Sequence, residues 1–202
     1  MRNLIMVGER VYLRPEEPGD AEVMALQYAQ ETDDWIDDFG RYPVSPITIR
    51  QAIEGDAESS IPDSITLHSC LIEDDQLIGR VGLFDVDYVN RTAETYSYFA
   101  PGPWRGSGYG TESKLLLLEY CFDHLQLHIL QSYVFGSNER SAAALRRQGY
   151  QPAGILRLDG PRRGKYLDTW VFDIKRDEWL AARDEWRQRR QRAGYPAPRN
   201  EP

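Results

Sequence analysis

Cysteine and histidine are scarce in this chain of 202 residues, which has two cysteines and three histidines. Cys70 and Cys121 each lie in an apolar-rich segment, so we expect two buried free thiols rather than a disulfide framework. His124 and His128 are four residues apart on an expected helix, but no glutamate follows His124 as in a zinc protease. A structural zinc site needs more ligands than this pair, and we predict no metal.

Long hydrophobic runs and an excess of positive charge are also missing. No apolar run approaches the length that crosses a bilayer, and residues 1–6 lack the pattern of a signal peptide. The expected location is therefore the cytoplasm, without a membrane partner. A net charge of −8 disfavours a nucleic-acid partner and is compatible with a cationic or amine substrate. With 41% hydrophobic residues, the length predicts one domain with a full core.

Glycine is concentrated in residues 104–112, where Gly106, Gly108 and Gly110 alternate with other residues. The stretch lies between a strand-like run, residues 95–100, and a helix-like run from Thr111. Alternating glycines let backbone N–H groups approach a ligand, and the helix start adds unpaired N–H groups and a positive dipole end. This pattern predicts a phosphate or pyrophosphate site; the alternative is a turn that only connects strand to helix.

The type of anion loop follows from the spacing. A dinucleotide-binding loop would need a glycine where Thr111 stands, and a P-loop would need Gly-Lys-Ser/Thr, which is absent from the sequence. The pattern Arg105-x-x-Gly108-x-Gly110 resembles the coenzyme A pyrophosphate loop of the GNAT superfamily of N-acetyltransferases. Other segments resemble family elements in the same order: Ala93-Glu94, Tyr109 to Glu112, Phe135 to Ser141, Gln148-Gly149-Tyr150 and Gly164 to Asp168. The resemblance covers roughly residues 8 to 180 and is greatest to the ribosomal-protein-alanine acetyltransferase branch.

The hydrophobic periodicity predicts the element order β-α-α-β-β-β-α-β-α-β-β, an α/β (α+β) chain. The first strand is expected over residues 7–14, and the last hairpin is expected to turn at residues 159–161. The resemblance implies a GNAT-like single domain with a central, mixed, mostly antiparallel twisted sheet of about six to seven strands. Helices flank that sheet, and its central strands are splayed.

The tail repeats Asp-Glu-Trp, with Trp179 and Trp186 seven residues apart on one helical face. We expect an acetyltransferase domain at residues 1–180 and a helical extension with a disordered end at 181–202. The tryptophan stripe is expected to pack on its own domain; the alternative is a second subunit in a homodimer.

The resemblance implies acetyl-CoA as cosubstrate. Backbone groups of Tyr98, Phe99 and Ala100 would pair with the pantetheine arm, and an amide near Phe99 would polarise the thioester carbonyl. Asn138 would contact the coenzyme, cap a helix, or do both. The pyrophosphate would be held by Arg105, Gly106, Ser107, Gly108, Tyr109, Gly110 and Thr111.

The same resemblance gives the catalytic residues. Glu94 would accept the amine proton; the alternatives are an exposed strand carboxylate or a partner for Arg91. Many relatives place a tyrosine where this chain has Leu145, which cannot protonate the leaving thiolate. Ser141 would then stabilise the thiolate, or the thiolate leaves unassisted. Tyr166 is a candidate for the substrate wall.

The acceptor is expected to be an amine-bearing small molecule or a protein N-terminus. An acidic run between residues 31 and 38, with Asp34 and Asp37, would attract its positive charge; the alternative is a solvated surface. The alternative to an enzyme is a coenzyme-A-binding regulatory or sensory module that has lost turnover. The leucine at position 145 favours this alternative.

Overall fold

The computed structural model describes residues 3–32, 44–56, 61–162 and 165–194. Within these ranges the order of elements agrees with the sequence-based order, with one strand added at the start, and a helix follows the last strand in the tail, where a helical extension was expected. The elements are β1 (Met6–Val7), β2 (Val11–Pro15), α1 (Ala21–Ala29), α2 (Pro46–Asp56), β3 (Ile65–Leu71), β4 (Leu77–Asp87), β5 (Thr92–Phe99), α3 (Tyr109–Glu119), β6 (Ile129–Phe135), α4 (Glu139–Arg147), β7 (Gln151–Arg162), β8 (Lys165–Lys175) and α5 (Arg176–Arg192).

The strands of the described ranges form one sheet in the order β1-β2-β3-β4-β5-β6-β8-β7. β5 and β6 pair in parallel, and the other neighbouring pairs are antiparallel. The expected mixed, mostly antiparallel GNAT-like sheet is therefore confirmed, with eight strands instead of six to seven. The extra strand arises because residues 7–14 do not form one strand; a turn divides this segment into β1 and β2.

The two central strands, β5 and β6, diverge as predicted. Their backbone pairing ends at Glu94 opposite Gln131, although both strands continue. Side chains bridge the point of divergence: Thr95 Oγ1 donates to the carbonyl of Gln131 (3.1 Å), and Ser132 Oγ donates to the carbonyl of Thr95 (3.0 Å). Beyond this apex the two strand edges border an open gap.

Helices cover both faces of the sheet. On one face α3 is buried on most of its surface, because it lies between the sheet and α5. On the other face α1 and α2 pack over the first strands. The α3 cluster includes Leu13, Leu67, Val81, Leu83, Leu117, Leu118, Cys121 and Leu130, and the α1–α2 cluster includes Tyr12, Met24, Ile53, Cys70 and Leu77. Cys70 and Cys121 are both free and buried.

Buried polar side chains from β2, from the segment before α1 and from β3 form one hydrogen-bonded cluster. The Asp20 carboxylate accepts hydrogen bonds from Arg14 (2.6 and 2.8 Å) and lies 2.9 Å from His68 Nδ1. The other ring nitrogen of His68 lies 3.0 Å from Glu16 Oε1. Burial alone would lower the pKa of His68, but its bonds to Asp20 and Glu16 outweigh burial and raise that pKa.

Helix α5 packs on its own domain. Trp179 is fully buried against Phe122, with ring centroids 5.7 Å apart, and Trp186 packs against the same core. Arg190 at the far end of α5 hydrogen-bonds Glu9 in the turn between β1 and β2. The helix is continuous from residue 176 to residue 192.

The hairpin of β7 and β8 turns later than expected. Pairing with β8 continues to Arg162, so residues 159–161 belong to β7 and the predicted turn there is wrong. A register shift between Leu156 and Gly160, with Leu158 at φ 52°, marks a bulge at this point. Turn-forming residues thus bend a continuing strand instead of ending it. No helix of the described segments is long and apolar enough to cross a membrane.

Candidate active site

The glycine-rich loop forms a cradle between β5 and α3. Gly106 and Gly108 have φ angles of 78° and 88°, a left-handed conformation that glycine adopts without steric cost. Gly108 is the N-cap of α3, so the first N–H groups of the helix follow it directly. A Cβ on Gly110 would lie 3.3 Å from the ring of Phe99, so a larger residue here would have to displace that ring by a few tenths of an ångström. The loop can therefore present several N–H groups to one anion.

The cradle is fixed from behind by Glu112, a contact that the sequence analysis did not predict. This buried carboxylate accepts hydrogen bonds from the backbone N–H groups of Glu9 (2.8 Å) and Arg10 (2.7 Å). It also accepts one from the Arg10 guanidinium (2.9 Å). The same guanidinium donates to the carbonyl of Ser107 (3.0 Å) and lies 4.1 Å above the ring of Tyr109. The turn between β1 and β2 therefore holds the loop and the helix start in place.

Arg105 makes contacts other than those expected from the motif. Its guanidinium donates to the carbonyl of Phe99 through Nε (2.9 Å) and Nη2 (2.7 Å). It also forms an ion pair with Glu31, whose Oε1 lies 3.2 Å from Nη1. In this arrangement Arg105 ties the loop to the end of β5. Its contact with a pyrophosphate remains a prediction.

The exposed edge of β5 offers the backbone of alternate residues. The amide of Ala100 donates to the carbonyl of Ile78 on the β4 side (2.9 Å), and Tyr98 has the same orientation. Ser97 and Phe99 therefore direct their backbone groups toward the gap that separates β5 from β6. Of the three residues expected to pair with a pantetheine arm, Phe99 directs its backbone toward the gap, whereas Tyr98 and Ala100 direct theirs toward β4. Ser97, which was not predicted, also faces the gap.

A cavity of about 680 Å³ occupies the gap and extends to the cradle, a size typical of small-molecule sites. It brings together residues predicted from distant segments: Glu94 from β5, the glycine loop, Thr111 from α3, and Asn138 with Ser141 from α4. The described residues that line it do not include Ala100, Ser107, Tyr109 or Tyr166. Residues that the sequence analysis did not select also line it: Phe84, Lys114, Ser132, Arg140 and Arg147.

Of the three predicted substrate residues, Tyr166 is described and is not among the residues that line this cavity. Tyr166 lies on β8 with 65% of its surface exposed. Asp34 and Asp37 fall outside the described residues, so their roles remain predictions.

Glu94 lies where an incoming amine could meet it. Because side chains alternate along a strand, Glu94, Tyr96 and Tyr98 share one face of β5, and Tyr98 packs with the α1–α2 cluster. Phe84 stacks on Tyr96 with ring centroids 4.3 Å apart. Burial raises the pKa of Glu94, and the nearby Asp85 raises it further. A partly buried carboxylate beside aromatic rings suits an amine and its proton.

The α4 side of the cavity carries the other predicted residues. Asn138 is the N-cap of α4, and its Oδ1 accepts a hydrogen bond from the Ser141 amide (3.1 Å), so the capping role predicted for it is present. The cap turns the first turn of α4, with Arg140 and Ser141, toward the cavity. Leu145 also lines the cavity and is buried, so an apolar side chain stands at the position where relatives place tyrosine.

Lys114 was not predicted as a site residue. It lies on α3, only 2% of its surface is exposed, and its Nζ donates to the carbonyl of Tyr96 (3.1 Å). Burial lowers the pKa of Lys114 to about 7, while Cys121 and Glu94 act in the opposite direction. The only sequence signal was a single lysine beside four leucines in the helix-like run that begins at Thr111.

Comparison with known proteins supports the motif resemblance. A sequence model described as an acetyltransferase (GNAT) domain matches residues 10–151. The chain belongs to the GNAT acetyltransferase family. It is 30% identical over 176 residues to the putative ribosomal N-acetyltransferase YdaF of Bacillus subtilis (strain 168), a match that covers 86% of this chain and 95% of that protein. The resemblance to the ribosomal branch is thus confirmed.

Two further proteins widen the comparison. The chain is 29% identical over 112 residues to the spermidine N(1)-acetyltransferase of Vibrio cholerae serotype O1 (strain ATCC 39315 / El Tor Inaba N16961), which covers 54% of this chain and 64% of that one. The structure of Mycobacterium smegmatis RimJ in complex with CoA-disulfide superposes with a TM-score of 0.79, covers 94% of each chain and is 22% identical, a likeness of fold. Family membership makes this chain an acyltransferase that moves an acetyl group to an amine.

Proposed function

We propose that this GNAT protein transfers the acetyl group of acetyl-CoA to a primary amine by direct attack of the amine on the thioester carbonyl. The observation that carries the proposal is the single cavity between the splayed strands. It reaches from the glycine cradle to Glu94, so an anionic coenzyme and an amine can meet inside it.

The described residues fit the coenzyme along its length. The N–H groups of the cradle and the start of α3 suit a pyrophosphate, and Thr111 adds a hydroxyl. The backbone groups of Ser97 and the amide of Phe99 face the gap and suit the amides of a pantetheine arm, and an amide of this strand edge would polarise the thioester carbonyl. Acetyl-CoA supplies an acetyl group that is activated as a thioester, and coenzyme A is its leaving group.

Glu94 would act as the general base. An α-amine has a pKa near ~7.7–8.0 and an alkyl amine near ~10.4, so an α-amine loses its proton more readily. Burial raises the pKa of Glu94, which makes it a better proton acceptor than an exposed carboxylate. The acceptor would be a protein N-terminus or a small-molecule amine. Asp34, Asp37 and Tyr166 remain candidates for its recognition.

Thiol release from acetyl-CoA with a panel of amines tests this function. The panel contains peptides with N-terminal alanine or serine, spermidine, an aminoglycoside and free amino acids. We expect turnover with one class, and a fall in kcat/KM of about 10²-fold in Glu94→Gln, the lower end for a general base. Glu119→Gln, on the outer end of α3, is the matched control and should keep wild-type activity. Unchanged kcat/KM in both Glu94→Gln and Ser141→Ala would overturn the assignment of roles.

A second candidate is a coenzyme-A-binding sensor without turnover. The observation that favours it is Leu145, which leaves the tyrosine position of relatives without a proton donor. Calorimetry separates the two candidates: tight binding of acetyl-CoA without turnover on any amine would favour the sensor.

A further inference from the structure

The cavity contains a buried amine, that of Lys114, to which the proposed reaction gives no role. Three of the 24 basic side chains of the chain are lysines, and Lys114 is the one that lies inside the molecule. Arginine stays charged under all ordinary conditions, whereas a buried lysine can gain and lose a proton. Among the described basic residues that line the cavity, which are otherwise arginines, Lys114 is therefore the one whose side chain can transfer protons.

Lys114 lies at the inner end of the cavity. Its Nζ is hydrogen-bonded to the carbonyl of Tyr96, one residue from the apex at Thr95, where β5 and β6 separate. Tyr96 is three residues from Phe99, which is about 10 Å along a strand at ~3.3 Å per residue. A coenzyme arm that starts at the cradle and follows β5 past Phe99 brings its sulfur end toward the Lys114 amine.

The cavity lacks a side chain at the expected position of the acid, because Leu145 cannot donate a proton. This inference rests on the proposed function: we propose that the Lys114 ammonium is the general acid that protonates the departing sulfur of coenzyme A. The C–N bond forms, the C–S bond breaks, and its electron pair leaves on sulfur. Lys114 Nζ gives one proton to that sulfur and becomes neutral. Glu94 takes one proton from the acceptor nitrogen and releases it after the reaction, and Lys114 takes up one proton, which restores the starting state.

The surroundings of Lys114 fit this proton cycle. Burial lowers the pKa of Lys114 to about 7, below the ~8.5 of a free thiol, so transfer to a thiolate is favoured by roughly 30-fold. Burial raises the pKa of the neighbouring Cys121 and of Tyr150, whose hydroxyl lies 2.6 Å from Thr95 Oγ1, so both stay neutral. Glu94 supplies the negative charge that favours the ammonium form.

The ratio of wild-type kcat to the kcat of Lys114→Met, followed across pH, tests the proposal. Methionine matches the length of lysine without a proton, and the Tyr96 carbonyl keeps its place opposite Gly82 in the β4–β5 ladder. We expect a ratio of about 10² near pH 6.5, where the ammonium is present. Above about pH 7 the ratio should fall roughly tenfold per pH unit toward one, because the wild-type acid deprotonates. Effects of pH on the acceptor amine cancel in the ratio.

Controls separate an acid from a space-filling side chain. Lys114→Gln keeps a donor for the Tyr96 carbonyl and should behave as Lys114→Met does, and the exposed Lys175→Met should behave as wild type. Acetyl-CoA affinity by calorimetry should stay within about threefold of wild type in each variant, as for a group that acts in the transition state. A ratio that does not change with pH would overturn this inference and leave the proposed function intact. Absence of turnover by the wild type on every amine would overturn both.

Discussion

Replacement of Glu112 by glutamine should loosen the coenzyme cradle and destabilise the whole domain. The carboxylate is 1% exposed and accepts bonds of 2.7 to 2.9 Å from two backbone N–H groups and from Arg10 Nε. In Glu112→Gln one oxygen can still accept the backbone bonds, but the new NH₂ group faces the Arg10 donor. A charged hydrogen bond is lost, and a buried donor is left against another donor.

The magnitude follows from these contacts. A hydrogen bond to a charged group contributes about 1.5–3 kcal/mol, and an unsatisfied buried donor costs about 1–3 kcal/mol. Arg10 is 22% exposed, so water compensates part of the loss, and we expect a destabilisation of about 3 kcal/mol. For a domain of this size that corresponds to a fall in Tm of roughly 6–12 °C.

Thermal unfolding of wild type, Glu112→Gln and Glu119→Gln is the assay. Glu119 lies on the same helix and is only partly buried, so its amide should change stability by less than about 0.5 kcal/mol. Calorimetry should also show weaker acetyl-CoA binding by Glu112→Gln, because Arg10 then holds the Ser107 carbonyl less firmly. A Tm of Glu112→Gln equal to that of the control would refute the reasoning.

Two further changes test other parts of the account. Gly108→Val places a β-branched residue at φ 88°, a conformation that costs an L-residue roughly 1–2 kcal/mol. Its Cβ would also lie 3.2 Å from Arg10 Nη2. Coenzyme titration should therefore show at least about tenfold weaker binding by this variant. Unchanged affinity would mean that the loop does not hold the coenzyme. Because the pKa of His68 is higher in the folded than in the unfolded protein, its protonation stabilises the fold. This stabilisation is complete below the pKa of the unfolded state, ~6.5, and is lost as pH rises through the pKa of the folded state. The free energy of unfolding should therefore fall as pH rises above ~6.5. His68→Gln should flatten that dependence in denaturant titrations, and an equal slope in both proteins would contradict it.

The local parts of the site could be predicted from the sequence. The glycine spacing fixes the backbone of the loop, and Asn138 precedes its helix in the manner of an N-cap, so both are determined by neighbours in the chain. The splay of β5 and β6 followed from the resemblance to the family. The side chains that make it, Thr95 and Ser132, did not stand out among other strand residues.

The remainder depends on contacts between distant segments. Glu112 contacts Arg10 although about a hundred residues separate them in the sequence, and Glu31 contacts Arg105 over a similarly long separation. Hydrophobic periodicity describes only neighbours in the chain, so it cannot predict either pair. Lys114 occupies a helix position that a sequence pattern assigns to solvent, whereas packing of α3 between the sheet and α5 buries it. Tertiary packing therefore decided the partners and the electrostatics of the site.

The most direct test of the central claim is transfer of a labelled acetyl group from acetyl-CoA to an amine. Purified wild-type protein is incubated with labelled acetyl-CoA and each amine of the panel, and mass spectrometry locates the label. The account predicts a labelled amide on the nitrogen of one acceptor class and initial labelling about 10²-fold slower in Glu94→Gln, with Glu119→Gln unaffected. Label that stays on acetyl-CoA with every acceptor, or equal labelling with and without Glu94, would contradict it.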